Sequence, residues 1–278
     1  MARHLAGVAC LAALGALAAM TVGASAADLS PRPYTKAPPP PPPAFSWTGF
    51  YVGATVGAAR TSADVSLNTV NGTPPLYNPL DIPNLNAFGS PSMSETNAIF
   101  GLKGGYNQQW GAWVLGVEGD ISSFHFDPTR ANSGNPFVVT FPGAGSAQIT
   151  TNVETSWLAT IRGRVGFAAD RLLIYGTGGA AFANVKYSNT YRGFSPLGSG
   201  FEFEGASTSQ TQVGWAAGAG IDYALWSNLI LSVEYLHVDL GSISAAGLVT
   251  TGSAATATMN FSTKVTSDIG RFGAAYKF

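Results

Sequence analysis

Trp157-Leu158-Ala159-Thr160-Ile161-Arg162-Gly163-Arg164-Val165-Gly166-Phe167 is the stretch that decides the fold. Trp157, Ala159, Ile161, Val165 and Phe167 fall on one side of a period-two alternation, opposite Leu158, Thr160, Arg162, Arg164 and Gly166. From Trp157 to Phe167 the chain covers roughly 33 Å as a strand, or about 25 Å of height at a tilt of about 40°, the thickness of the apolar band of an outer-membrane barrel. The same alternation sets Trp113, Leu115, Val117, Gly119 and Ile121 against Val114, Gly116, Glu118 and Asp120. It recurs where Val213, Trp215, Ala217, Ala219, Ile221 and Tyr223 oppose Gln212, Gly214, Gly218, Gly220 and Asp222.

Working outward, the pattern predicts eight strands, near 47–58, 96–108, 112–124, 153–168, 172–187, 208–224, 229–240 and 261–278. The connectors alternate: long at 59–95, 125–152, 188–207 and 241–260, and short at 109–111, 169–171 and 225–228. Long loops on one side and tight turns on the other are the asymmetry of outer-membrane barrels, and they place both chain ends in the periplasm. The predicted fold is all-β, an eight-stranded antiparallel up-and-down transmembrane β-barrel with long extracellular loops and short periplasmic turns. Trp47, Trp110, Trp113 and Trp226 fall at the short-turn end and Trp157 and Trp215 at the long-loop end, which reads as two aromatic girdles.

Composition agrees. Of 278 residues only 10 % are charged, against roughly a quarter in soluble proteins. After the first twenty residues no apolar run reaches the ~18 residues of a spanning helix. Sixteen Phe, ten Tyr and six Trp argue against a disordered low-complexity chain. A net charge of −1 without a basic cluster argues against nucleic acid as a partner. A soluble lipocalin-type barrel would have to cover its outer face with charge, and the polar positions here are mostly Gly, Ala, Ser and Thr.

The domain reading is a signal peptide over 1–26, a proline-rich periplasmic tail over 27–46 and the barrel over 47–278. Arg3 and His4, the apolar stretch from Leu5 to Met20 and the small-x-small Ala24-Ser25-Ala26 form a secretory signal cut after Ala26. The single cysteine, Cys10, lies inside it; an apolar run that mostly follows Cys10 argues against lipidation there. Pro38 to Pro43 is a run of six prolines; without amide donors it cannot join a sheet and reads as a polyproline II leash. The whole tail has a reach on the order of 50 Å.

By parity four cations, Lys103, Arg162, Arg164 and Arg271, and four anions, Glu118, Asp120, Asp222 and Glu234, point into the lumen. Lys103, Glu118, Arg162 and Glu234 sit at one height, near mid-membrane. Eight strands leave an interior just wide enough for side chains, and balanced charges in a low-dielectric space pair with one another. The expectation is a plugged barrel; the alternative is a narrow ion path, which a ring of one sign would favour.

Taken together, Phe45-Ser46-Trp47-Thr48-Gly49-Phe50-Tyr51-Val52-Gly53, Trp113 to Asp120, Arg162-Gly163-Arg164-Val165-Gly166 and the closing Phe272-Gly273-Ala274-Ala275-Tyr276-Lys277-Phe278 resemble the outer-membrane immunogenic proteins of alpha-proteobacteria. These are small opacity-like or OmpA-like barrels often filed as "porin family". The resemblance covers essentially all of 27–278. It implies an outer-membrane location, contact with lipid and lipopolysaccharide, and surface loops seen by host immunity. It also implies insertion by the barrel-assembly machinery through a C-terminal aromatic signal, here Phe272, Tyr276 and Phe278. Related proteins expose an N-terminal alanine followed by aspartate that is joined to peptidoglycan, which casts Ala27 and Asp28 as a tether. No ligand carries over to the loops, and the oligomeric state stays open.

Signals for chemistry are weak. His237 and Asp239 share a face near the outer end of a strand, but no serine or water-activating partner is fixed by spacing, and an amphipathic ring at headgroup level is ordinary. His125 beside Asp127 reads as a solvated loop pair. Three histidines and no cysteine beyond Cys10 argue against zinc. Gly176, Gly178 and Gly179 lack the following helix of a phosphate loop. The expectation is therefore no enzyme, no cofactor and no metal: a structural, surface-exposed barrel, with a narrow diffusion channel or a loop-borne adhesin as alternatives.

Overall fold

The computed structural model describes residues 45–140, 142–143, 145–194, 200–250 and 255–278, without the side chains of 194 and 200–206. Its strands are β1 (Gly49–Asn71), β2 (Ser92–Trp110), β3 (Trp113–Phe126), β4 (Thr129–Gly134), β5 (Ser146–Ala169), β6 (Leu172–Phe194), β7 (Gly200–Ala224), β8 (Leu229–Thr250) and β9 (Thr256–Lys277). One helix, α1 (Ile82–Phe88), lies between β1 and β2. Every pairing between strands is antiparallel, in the order β3-β2-β1-β9-β8-β7-β6-β5-β4, and β3 also pairs with β5 to close the barrel. The strand beyond the expected eight, β4, continues β3. Phe126 opposes Thr155 and Thr129 opposes Asn152 in one register, interrupted at Asp127-Pro128, where proline has no amide to donate.

The strands run well past the boundaries expected from sequence. Most of the stretches 59–95, 125–152, 188–207 and 241–260, expected as loops, are β-structure continuous with the barrel. In β1 the outward positions change from Phe50, Val52, Ala54, Val56 and Ala58 to Arg60, Ser62, Asp64, Ser66 and Asn68. The inward positions change the other way, from Tyr51, Gly53, Thr55 and Gly57 to Ala59, Thr61, Ala63, Val65 and Leu67. Parity never slips; what changes is the solvent outside. In β9 the same change falls between Asp268 and Gly270 on the outward face. Lipid rewards apolar outward residues below this level, and water rewards an apolar interior above it.

Several register shifts sit near that level, one of them in β3 against β5 between Ser123 and Phe126. In β5 the register with β6 shifts between Thr155 and Leu158, so inward residues change from odd to even and Trp157 stays on the outer face. In β8 the shift lies between Asp239 and Ser242, with Gly241 at φ 72°, a conformation that a side chain would strain.

Above the membrane the barrel divides. Pairing of β2 with β3 ends at Phe100 and Ser123, and pairing of β7 with β8 ends at Trp215 and Asp239. One half is formed by β2, β1, β9 and β8, the other by β4, β5, β6 and β7. Their apolar inner faces meet, as where the rings of Tyr187 and Phe261 lie 6.4 Å apart. The segment containing α1 bridges the first gap: Val65 N donates to Pro91 O at 3.0 Å, and Asn132 Nδ2 donates to Phe88 O at 2.9 Å.

A nitroxide label at outward positions in β1 reads this boundary directly. At Val56 it should be accessible to oxygen and shielded from a water-soluble nickel chelate, and at Ser66 the preference should reverse. Lipid-like accessibility at Ser66 would contradict the assignment.

Candidate functional site: a filled barrel interior

Three tiers of side chains occupy the interior. The lowest contains Trp47, Tyr51, Val114, Leu173, Tyr175 and Ile230, with Phe45 against it. Trp47 was expected in the lower girdle; instead it is wholly buried. Residues 45–48 precede the first strand, and the chain turns at Gly49 (φ 140°) so that the indole enters the short-turn mouth. There Nε1 donates to Asp170 O at 3.1 Å, and the Trp47 amide donates to Gln109 Oε1 at 2.8 Å. Trp110, Trp113 and Trp226 remain outside and exposed, as a lower girdle requires.

The middle tier is ionic. All eight residues singled out by parity, from β2, β3, β5, β7, β8 and β9, are buried here and join one network. Arg162 is its centre. Nη2 lies 2.7 Å from Glu118 Oε1 and 2.9 Å from Asp120 Oδ2, Nη1 lies 2.8 Å from Glu234 Oε1, and Nε donates to Thr160 at 2.9 Å. Arg271 reaches Asp120 at 3.0 Å and Glu234 at 2.6 Å. Arg164 pairs with Asp222 at 2.5 Å and stacks on the Tyr175 ring, 3.8 Å from its centroid. Lys103 donates to Ser232 at 3.0 Å and faces Glu118 at 3.8 Å.

The sequence reading placed four of these charges in one layer; the structure adds the other four and several neutral partners. Tyr51 accepts from Arg164 at 2.9 Å and donates to Glu118 at 2.8 Å, bridging the two. Its inward parity, and that of Tyr175, was the signal available for finding both. Glu118 with Arg162 and Glu234 with Arg271 are direct cross-strand neighbours. Strand register therefore places opposite charges side by side before any side chain adjusts. Each buried ion forfeits hydration worth several kcal/mol, which only such multiple short contacts recover.

Above the charges lies an apolar tier that includes Leu158, Val185, Tyr187, Leu236, Met259, Phe261 and Ile269. Leu85 of α1 closes it from the top, wholly buried. Asp81, just before α1, is buried and holds residues 139–140 in place. Its Oδ1 accepts from Val139 N at 2.8 Å, and its Oδ2 accepts from Thr140 N at 3.0 Å and from the Thr140 hydroxyl. Burial pushes this carboxyl up, but the Thr140 and Val139 donors outweigh that and hold it below the usual carboxylate range.

On the outer face, His237 and Asp239 do not pair. His237 Nδ1 lies 2.8 Å from Asp268 Oδ1, which also accepts from Tyr235 at 2.6 Å, while Asp239 pairs with Lys264 at 3.1 Å. His125 is exposed, and Asp127 accepts from Asn152 at 2.7 Å. Among the described residues no group of three or more His, Cys, Asp or Glu side chains is placed to hold a metal ion. Phe272, Tyr276 and Phe278 all face outward. Ala27 and Asp28 lie outside the described residues.

Two measurements test the interior. Arg162→Met leaves three carboxylates short of a partner and should cost about 3–5 kcal/mol; Lys103→Met, with one distant partner, should cost roughly half as much or less by the same reasoning. Urea unfolding followed by tryptophan fluorescence checks the order, and equal losses would contradict it. For Asp81, a folded pKa below the unfolded one means the clamp contributes stability above about pH 3.9 and loses it as pH falls through the lower folded value. The Val139 amide resonance should therefore stay constant through neutral and mildly acidic pH and move only below about 3.9, and Asp81→Asn should abolish that titration.

A family model described as an outer membrane protein beta-barrel domain matches residues 12–278. The chain is 30 % identical over 234 residues to the 31 kDa outer-membrane immunogenic protein of Brucella melitensis biotype 1, covering 82 % of this chain and 86 % of that one. It is 26 % identical over 204 residues to the 22 kDa outer membrane protein of Rhizobium leguminosarum bv. viciae, covering 72 % and 67 %. Among solved structures, the outer membrane protein OprG from Pseudomonas aeruginosa aligns with a TM-score of 0.42 at 12 % identity, covering 84 % of this chain and 99 % of that one. With its closed, lipid-banded barrel and this match along nearly its whole length, the chain belongs to the outer-membrane β-barrel family that includes the alpha-proteobacterial outer-membrane immunogenic proteins.

Proposed function

We propose that this outer-membrane barrel is a structural, surface-exposed component that contributes to envelope integrity without conducting ions or catalysing a reaction. The observation that carries this reading is the filled interior: the Trp47 tier, the Arg162 network and the apolar tier under α1 follow one another from the short-turn mouth to the top. The position of Phe45 and Trp47 at the short-turn mouth suits a periplasmic leash, with Ala27 and Asp28 as its attachment to peptidoglycan. An unmodified Ala27 in every barrel peptide from lysozyme-digested sacculi would remove the tether from this proposal. The outward Phe272, Tyr276 and Phe278 are assigned to recognition by the barrel-assembly machinery, and the apolar band to lipid and lipopolysaccharide.

A second reading, loop-borne recognition of a host surface, is favoured by Leu80, Val138 and Val139, which are exposed around the Asp81 clamp. The relatives' designation as immunogenic agrees with surface exposure. Planar bilayers separate structure from channel. The purified protein should give no reproducible discrete conductance, and conductance that changes on substituting Glu118 or Arg162 would overturn the proposal.

A further inference from the structure

The outer wall of the barrel continues above the lipid band. Along β1, β9 and β8, paired with one another apart from the bulge at Gly241, the outward residues form cross-strand rows. The last row of the band, Ala58, Gly270 and Tyr235, is followed by Arg60, Asp268 and His237. Above these come Ser62, Thr266 and Asp239, then Asp64, Lys264 and Ser242. The next two rows carry no charge: Ser66, Ser262 and Ser244, and then Asn68, Asn260 and Ala246.

The two uncharged rows line a trough of about 260 Å³. β9 forms its floor, where Asn260 and Ser262 are half-buried, while Ser66, Asn68, Ser244 and Ala246 stand exposed on the flanking strands. Neighbouring strands lie about 4.8 Å apart, so the three serine hydroxyls are spaced by about the width of a sugar ring. Among the described residues neither these hydroxyls nor the Asn68 side chain has a hydrogen-bond partner within the chain. Asn260 Nδ2 reaches Asn68 O at 3.4 Å. Hydroxyls and amides held in fixed rows with unspent hydrogen-bonding capacity match the hydroxyls of a sugar, which both donate and accept.

The charged rows beneath complete the outline of a ligand. Their carboxylates are already engaged: Asp268 by Tyr235 at 2.6 Å and His237 at 2.8 Å, Asp239 by Lys264 at 3.1 Å, and Asp64 by Ser92 at 2.6 Å. Arg60 is exposed and, among the described residues, forms no ion pair, which leaves it available to an anion at headgroup level. Ser66 lies roughly 20 Å beyond Arg60 along the strand, or about 15 Å above it at a tilt of about 40°. Phospholipid headgroups end below that height. From the membrane outward the wall is apolar, then charged, then lined with hydroxyls and amides. That is the order of acyl chains, anionic headgroup and sugars in a glycolipid.

We infer that the outer wall of β1, β9 and β8 seats one lipopolysaccharide molecule, with acyl chains on the apolar band, an anionic headgroup substituent at Arg60 and the first core sugars in the trough over Ser262 and Asn260. This deepens the assignment of lipopolysaccharide to the apolar band and rests on it. The occupant follows from continuity: the trough extends a surface that already faces the outer leaflet, and its strands are paired on both sides, so the barrel need not open to be occupied.

The refolded chain in nanodiscs, offered rough lipopolysaccharide with its core sugars or bisphosphorylated lipid A alone, tests this. Glycolipid retained per barrel after detergent exchange, counted by native mass spectrometry, should favour the core-bearing form at least fivefold. Ser262→Tyr and Ser66→Tyr fill the trough from different strands and should bring that ratio close to one. Ser188→Tyr, on the outward face of β6, should leave it unchanged. Arg60→Gln should lower retention of both probes at least threefold without altering their ratio. Heat-resistant electrophoretic mobility shows which variants are folded, and either trough variant suffices. Equal retention of the two probes by the unsubstituted chain would overturn the proposal, as would a ratio that a folded trough variant leaves intact or that Ser188→Tyr abolishes. Retention unchanged in Arg60→Gln would remove the headgroup contact. Binding of released core oligosaccharide to lipopolysaccharide-free discs as tight as that of the intact glycolipid would overturn the proposal in favour of a soluble glycan. Failure to retain either probe would remove the assignment of the band, and the trough with it.

Discussion

Hydrocarbon offers the backbone no hydrogen-bond partner, so every strand within the lipid band must pair on both sides. The barrel obeys this up to the upper girdle and abandons it there. Pairing of β2 with β3 stops at Phe100 and Ser123, and pairing of β7 with β8 stops at Trp215 and Asp239, at the level where outward residues turn polar. Once water can satisfy an edge, closure is no longer compulsory, and the strands separate into two facing halves. The upper core, the covering helix and the parting of β7 from β8 all follow from that change of surroundings.

The interior answers the same change from the other side. Inside the lipid band it holds the ionic network, ordered because cross-strand register sets Glu118 beside Arg162 and Glu234 beside Arg271. Above the band, where the outer face is wet, the inside becomes the hydrophobic core of an ordinary two-sheet structure. One chain therefore carries two opposite polarity patterns, and β1 switches between them at Ala58 and Ala59 without a break in parity.

Much of this was legible in the residues. The alternation of Trp157 to Phe167 specified a strand and its two faces, and parity alone placed eight charges inside. The extension beyond residue 58 carries an equally regular alternation, Ala59-Arg60-Thr61-Ser62-Ala63-Asp64-Val65-Ser66-Leu67-Asn68. A pattern of apolar outward positions misses it, because here the outward positions face water. Trp47 misled for a related reason: an aromatic at the end of a strand suits a girdle, and only the turn at Gly49 sends it inward.

The sequence by itself determined the barrel, its lipid-facing band, the sign balance of its interior and the side from which each inward charge projects. These are local properties, fixed by a two-residue period and by composition. Which carboxylate each arginine meets, that Tyr51 joins Arg164 to Glu118, that Asp81 clamps residues 58 positions away and that β7 and β8 part at Trp215 and Asp239 were decided only by the tertiary structure. Each depends on the distance between chain segments remote in sequence, and that distance is set by strand register, bulges and the level at which the barrel leaves the membrane.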